Sequence, residues 1–211
     1  MEYYGRTGYP PRAEDHDLQL DFVSETQLPH PSQGKIVTVF GSSRPAEGSK
    51  EYEDAELIGK RLSQAGISVC TGGYGGIMEA VSKGASNSDV KIIGVTSAAF
   101  SPTPNQYVNI QVHTASLYER LEKLVEIGDG YIVLKGATGT LVEFAAVWEL
   151  MNKDIIDRKP IVLVTDFWKP VVDLMNKALT AEGHEARMGY VRIIGDAPQA
   201  AEAMIASLSQ E

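Results

Sequence analysis

Three glycine-containing turns and one acid are the residues of this chain best suited to chemistry. The turns are Gly41-Ser42-Ser43-Arg44, Gly72-Gly73-Tyr74-Gly75-Gly76 and Gly136-Ala137-Thr138-Gly139-Thr140, and Glu143 lies three residues beyond the last. Each turn follows a short apolar run, and helical patterns follow in turn. Glycine lets a backbone come close to a ligand. A helix N-terminus offers unpaired N–H groups and a partial positive charge, which suits a phosphate. Any one such turn is explained as a tight strand-to-helix connection; three at corresponding positions favour an anion-binding rim. Glu143, on the first turn of its helix, is explained as a partner for the helix dipole. It also precedes Phe144, Ala145, Ala146, Val147 and Trp148, so it enters an apolar element rather than open surface.

The known phosphate signatures narrow the ligand. Gly136 to Thr140 lacks the Gly-Lys-Ser/Thr ending of a P-loop. The run Gly73-Tyr74-Gly75 continues as Gly76-Ile77-Met78, so the third glycine of a dinucleotide fingerprint is missing, and no acid stands where a ribose would be read. The ligand expected is smaller than a redox dinucleotide: a mononucleotide or a sugar phosphate. Cys70 is the single cysteine, and His16, His30, His113 and His184 are scattered. No disulfide, cysteine zinc cluster or other metal site is expected.

The elements that position these turns are legible in the hydrophobic pattern. Short β-branched runs at 35–40, 67–70, 90–96, 108–112, 131–134, 160–164 and 191–194 read as strands. Helical patterns over 51–65, from 77 onward, 117–127, up to about 152, 168–179 and from 197 separate them. Strands that are apolar throughout are covered on both faces. The expectation is an α/β fold, a Rossmann-like doubly wound and mostly parallel sheet with helices on both faces, whose ligands sit beyond the carboxyl ends of the strands. Arg120 falls in the helix before the 131–134 strand, with Glu119 and Glu122 as neighbours for an ordinary surface ion pair. Tyr52 and Tyr118 read as packing aromatics.

Of the 211 residues, 43% are hydrophobic and 22% charged, and the net charge is −9. That is ordinary for a globular chain and argues against a nucleic-acid or anionic-membrane surface. No apolar run reaches the length of a membrane span and no secretory leader is evident, so a cytoplasmic location is expected. Residues 1–34 hold six acids, two bases and four prolines. They read as an N-terminal extension, either flexible or an arm reaching a partner through Leu18, Leu20, Phe22 and Val23, ahead of a nucleotide-binding domain over 35–211.

Five features in one order resemble the Lonely Guy (LOG) family: Gly41-Ser-Ser, Tyr52-x-x-Ala55-x-x-Ile58-Gly59, Gly72-Gly-Tyr-Gly-Gly-Ile-Met78, Arg120, and Gly136-x-x-Gly139-Thr140-x-x-Glu143. The resemblance spans about residues 35–195. It implies a Rossmann-like homodimer, or a higher homo-oligomer, that uses no cofactor. The implied activity is hydrolysis of a nucleoside 5′-monophosphate, of the cytokinin riboside monophosphate or AMP type, to free base and ribose 5-phosphate. It further implies Glu143 and Arg120 as catalytic residues and Gly41, Ser42, Gly73, Gly75, Gly136, Thr138, Gly139 and Thr140 as substrate contacts, with Gly136, Gly139 and Thr140 on the phosphate. Two positions depart from the family hallmark: Lys135 replaces a proline and Ala137 a glycine. Ala137 raises the expectation of a crowded or altered phosphate loop. Molybdenum cofactor carriers share the architecture, so a non-catalytic nucleotide- or cofactor-binding carrier is the alternative.

Overall fold

A computed structural model describes residues 21–22, 34–184 and 189–209. Leu18, Leu20 and Val23, and with them most of the expected 1–34 extension, lie outside the described residues. Asp21–Phe22 form β1, a two-residue strand. The remaining strands are β2 (Ile36–Phe40), β3 (Ser68–Thr71), β4 (Ile92–Ser97), β5 (Ile110–Thr114), β6 (Gly130–Val133), β7 (Ile161–Val164) and β8 (Val191–Ile194). The helices are α1 (Lys50–Gln64), α2 (Ile77–Ala85), α3 (Leu117–Ile127), α4 (Thr138–Asn152), α5 (Lys169–Ala181) and α6 (Ala197–Leu208). A short 3-10 turn, Asp166–Trp168, leads into α5.

The sheet order is β1-β5-β4-β3-β2-β6-β7-β8, and every described pairing is parallel. From β2 the chain winds outward through β3, β4 and β5, then returns to place β6 on the other side of β2. The switch point of this doubly wound sheet therefore lies between the carboxyl ends of β2 and β6, where folds of this kind bind their ligands. β2, β3, β4, β6 and β7 are buried along their whole length. Two apolar clusters cover the two faces. One joins the sheet to α1, α2 and α6, the other to α3, α4 and α5. These layers follow from apolar strand runs that need cover on both sides.

Local signals set the helix starts. Ser49, Ser116 and Asp196 accept hydrogen bonds from the amides of Tyr52, Glu119 and Gln199, capping α1, α3 and α6. Glu119 also reaches back to the Ala115 amide at 2.7 Å, close to a capping box. α4 differs. Its cap residue is Ala137, and no side chain satisfies its first amides.

Candidate active site

The three glycine turns meet at the switch point, and Ser42 joins them. The Ser42 amide donates to the carbonyl of Lys135 (3.2 Å), at the end of β6, and the Ser42 carbonyl accepts from the amide of Ile77 (2.9 Å), at the start of α2. The Ser42 hydroxyl accepts from the Arg44 amide at 3.1 Å. The backbone of Ser42 thus fixes the spacing of the rim. Gly76 makes this junction possible. It has φ +69°, and a Cβ there would lie 2.5 Å from the Ser42 carbonyl oxygen. Gly41 packs under Ile77, whose side chain a Cβ would strike.

The third turn opens directly onto the rim. Ala137, Thr138 and Gly139 are exposed, whereas Thr140 is buried. The first internal bond of α4 runs from the Leu141 amide to the Ala137 carbonyl (3.0 Å). The amides of Thr138, Gly139 and Thr140 precede it and carry the positive end of the helix dipole. A Cβ on Gly139 would meet nothing within 4 Å, whereas one on Gly136 would lie 2.1 Å from Thr140 Oγ1. Gly136 therefore makes room for Thr140, and Gly139 leaves open space for a ligand. Ala137 has φ −100°, so its departure from the hallmark glycine carries no backbone strain. Lys135 is half exposed and lies 3.6 Å from Glu51, so its charge is already partnered.

Arg120 and Glu143 come together beside this turn. Arg120 is buried, 7% exposed. Its Nε donates to the Val95 carbonyl at the middle of β4 (2.9 Å), and its Nη1 donates to Glu143 Oε1 (3.3 Å). The surface pairing with Glu119 or Glu122 is not what holds it. α3 delivers Arg120 from its first turn, and α4 delivers Glu143 from its second turn rather than from the first turn that the sequence suggests, because the helix already begins at Thr138. The Glu143 side chain keeps 15% of its surface exposed. Burial pushes its carboxyl up from 4.5 to about 7, and the Arg120 charge and hydrogen bond offset only part of that. A carboxyl poised near neutrality beside a phosphate-ready helix end is suited to proton transfer. Cys70, at the base of the site, is buried and pushed up to about 12, so it is no thiolate nucleophile at neutral pH.

The family follows from the comparison of this chain with others. The model of the SLOG cluster4 family matches residues 34–197. The chain belongs to the SLOG cluster4 family. Relatives of this SLOG chain include a cytokinin riboside 5′-monophosphate phosphoribohydrolase of Rhodococcoides fascians. It is 28% identical over 164 residues, covering 74% of this chain and 80% of that protein. A pyrimidine/purine nucleotide 5′-monophosphate nucleosidase of Escherichia coli K12 is 30% identical over 176 residues, 75% of this chain but 38% of the longer relative. The LOG resemblance read from the motifs is thereby met. Among solved structures, a molybdenum cofactor carrier protein from Chlamydomonas reinhardtii superposes with a TM-score of 0.63 at 21% identity, covering 83% of this chain and 99% of that one. A molybdenum cofactor binding protein from Rippkaea orientalis gives 0.64 at 24%, covering 83% and 98%. At those identities the likeness establishes the Rossmann-like fold.

The second glycine turn was singled out as a motif, but the separate parts that its residues play, and the part of Asn105, were not. A Cβ on Gly72 would lie 1.7 Å from Arg120 Nη2, so Gly72 is what lets the arginine pass. The amide of Gly73 donates to Thr71 Oγ1 (3.1 Å), and its carbonyl accepts from the Asn105 amide (2.7 Å). Tyr74 lies against the Arg120 guanidinium, 5.7 Å from ring centre to Cζ. The only sequence sign of these roles is the density of glycines around Tyr74. Tyr52 is buried in the core, whereas Tyr118 is almost fully exposed. Among the described residues no three His, Cys, Asp or Glu side chains group as a metal site, and no helix is long and apolar enough to cross a membrane.

Proposed function

We propose that this chain hydrolyses the N-glycosidic bond of nucleoside 5′-monophosphates, releasing the base and ribose 5-phosphate. The observation that carries this reading is the buried Arg120–Glu143 pair standing beside the uncapped end of α4. The names of the relatives at 28% and 30% identity support the same reaction class.

In this reading the amides of Thr138, Gly139 and Thr140 and the Thr140 hydroxyl take the 5′-phosphate. That anchor sets the ribose over Glu143. As the C1′–N bond lengthens, positive charge develops on C1′ and the ring oxygen, and the ionised Glu143 stabilises it. A water attacks C1′. Its hydroxyl stays on the sugar, Glu143 takes up its proton, the bonding pair of the broken C1′–N bond leaves with the base, and the base then takes that proton from Glu143, which returns to its ionised form. Arg120 holds Glu143 in place through a charge-assisted hydrogen bond. Its own anchor on the Val95 carbonyl keeps it from collapsing onto the phosphate. Ser42, Gly73 and Gly75 line the ribose and base side. Binding energy from the phosphate orients the reacting centre, which is how a remote group raises turnover.

The test is a product assay. Incubation with AMP, UMP and isopentenyl-adenosine monophosphate releases ribose 5-phosphate in stoichiometric amounts with free base. Binding of AMP without any product would refute the hydrolase and leave a carrier.

A further inference from the structure

The start of α4 and the Arg120–Glu143 pair are assigned to the phosphate and the chemistry, while the base has so far been given only the backbone side of Ser42, Gly73 and Gly75. The loop between β4 and β5 carries a feature the reaction above does not use. Phe100 lies in it, 60% exposed. Its ring meets the Tyr74 ring edge-on, with centroids 6.0 Å apart and planes at 80°. An exposed aromatic held in a fixed orientation differs from a stray surface side chain, and the surrounding bonds show what fixes it.

Tyr74 is the pin. Its hydroxyl accepts from the Ser97 amide (2.9 Å) and donates to the Ser101 carbonyl (2.9 Å), so it grips the loop at both sides of Phe100. Its ring face lies on the Arg120 guanidinium. The glycine turn that carries Tyr74 is itself tied down, because the Asn105 side-chain amide donates to the carbonyls of Gly73 (3.2 Å) and Tyr74 (3.0 Å). The far side of the loop is held as well, by Gln111 Nε2 donating to the Pro102 carbonyl (2.6 Å) and to Thr96 Oγ1 (2.8 Å). The loop is therefore braced from two directions, and Phe100 stands two side chains away from Glu143, by way of Tyr74 and Arg120.

We propose that Phe100 is the stacking surface for the nucleobase, and that Tyr74 sets its distance from the Arg120–Glu143 pair. This rests on the nucleotide reading of the rim and extends it to the base. The contact with Tyr74 is near-perpendicular and Phe100 stays 60% exposed, so ring surface is left for a planar ligand. Base–aromatic stacking is tolerant of base identity but favours the larger π-face. A purine is therefore held better than a pyrimidine.

Isothermal titration of the full chain with AMP, UMP and ribose 5-phosphate tests this. The wild type binds AMP more tightly than ribose 5-phosphate, which carries the same phosphate and sugar without a base. Phe100→Ala weakens AMP by about tenfold or more while leaving ribose 5-phosphate within about twofold, and it erases the preference for AMP over UMP. The exposed position of Phe100 lets this variant fold. Tyr74→Phe keeps the ring on Arg120 but removes both loop bonds, so it lowers the AMP-to-ribose-5-phosphate ratio in the same direction by a smaller factor. An unchanged ratio in Phe100→Ala overturns the base subsite and leaves the hydrolase intact. Wild-type binding with the predicted ratios but no ribose 5-phosphate release overturns the hydrolase and leaves the subsite intact. Absence of AMP binding by the wild type overturns both.

Discussion

Replacing Glu143 by Gln separates charge from shape. The amide oxygen can still accept from Arg120 Nη1, now at 3.3 Å from the carboxylate, and the volume of the side chain is kept. The fold therefore persists, whereas the negative charge that faces C1′ is gone. Loss of a positioned acid–base group lowers kcat by on the order of 10²-fold or more. The same substitution has a stability signature. The folded state holds the Glu143 proton more tightly than the unfolded chain, with the carboxyl raised from 4.5 to about 7. Below pH 4.5 both states are protonated and the group contributes no penalty. Between pH 4.5 and about 7 the unfolded chain releases its proton while the folded chain keeps it, so wild-type stability falls as pH rises. Above pH 7 the loss is complete and amounts to on the order of 3 kcal/mol, at about 1.4 kcal/mol per pH unit. Glu143→Gln lacks this slope, so the variant gains on the wild type as pH rises from 5 to 8. Ribose 5-phosphate release at saturating AMP and urea melts at both pH values measure the two effects. Turnover within a few-fold of wild type would remove Glu143 from the chemistry. Parallel stability curves for the two proteins would show that the carboxyl is not perturbed by burial.

The remaining expectations follow from the same geometry. In the proposed hydrolysis the ionised form of Glu143 is the active one, so kcat for AMP rises with pH to an inflection near 7 and then levels; a fall above pH 7 would make the protonated acid the working form. Adenosine, which lacks the phosphate, is cleaved with kcat/KM lower than AMP by on the order of 10²-fold, and equal efficiency would remove the α4 end as a phosphate seat. Gly139→Ala leaves folding intact, with a gain of up to about 1 kcal/mol in helix stability, yet weakens AMP binding, because the added methyl enters the open space before the helix. Gly72→Ala acts the other way. Its methyl would overlap Arg120 Nη2, so it destabilises by about 1–3 kcal/mol and abolishes turnover. Thermal melts with and without AMP separate these two glycines, and a stable, fully active Gly72→Ala would contradict the packing of Arg120.

The layer order was legible because strand and helix periods differ and because buried parallel strands are apolar without alternation. α3 spans the same residues, 117–127, that its hydrophobic face implies. The rim was legible for a related reason: glycines cluster at strand ends where a helix must start. What the sequence hides is the partner of each group. Arg120 has acids on both sides in its own helix, yet its partner is 23 residues away on α4, reached only because α3 and α4 cover the same sheet face. Gly72 and Gly76 look alike in sequence but serve different ends, one clearing an arginine and the other a carbonyl junction. Ala137 looked like an obstacle because a glycine hallmark suggests a left-handed residue, and its φ of −100° removes that objection. The two-residue β1 left no periodic trace, since a pattern of two cannot be read.

The charge balance of the rim explains how an acidic chain can receive an anion. Lys135, the extra cation that the sequence places there, is engaged by Glu51, and Arg120 is engaged by Glu143 and the Val95 carbonyl. In the proposed reading the uncapped amides of α4 take the phosphate. Such a seat holds an anion by fixed dipoles whose strength does not depend on a mobile side chain. Had Arg120 been released to the phosphate, it would have left Glu143 buried, unpaired and protonated at neutral pH, and thus unable to face a developing cation. The buried ion pair and the uncapped helix therefore depend on each other: the dipole frees the arginine for the acid, and the arginine keeps the acid ionisable.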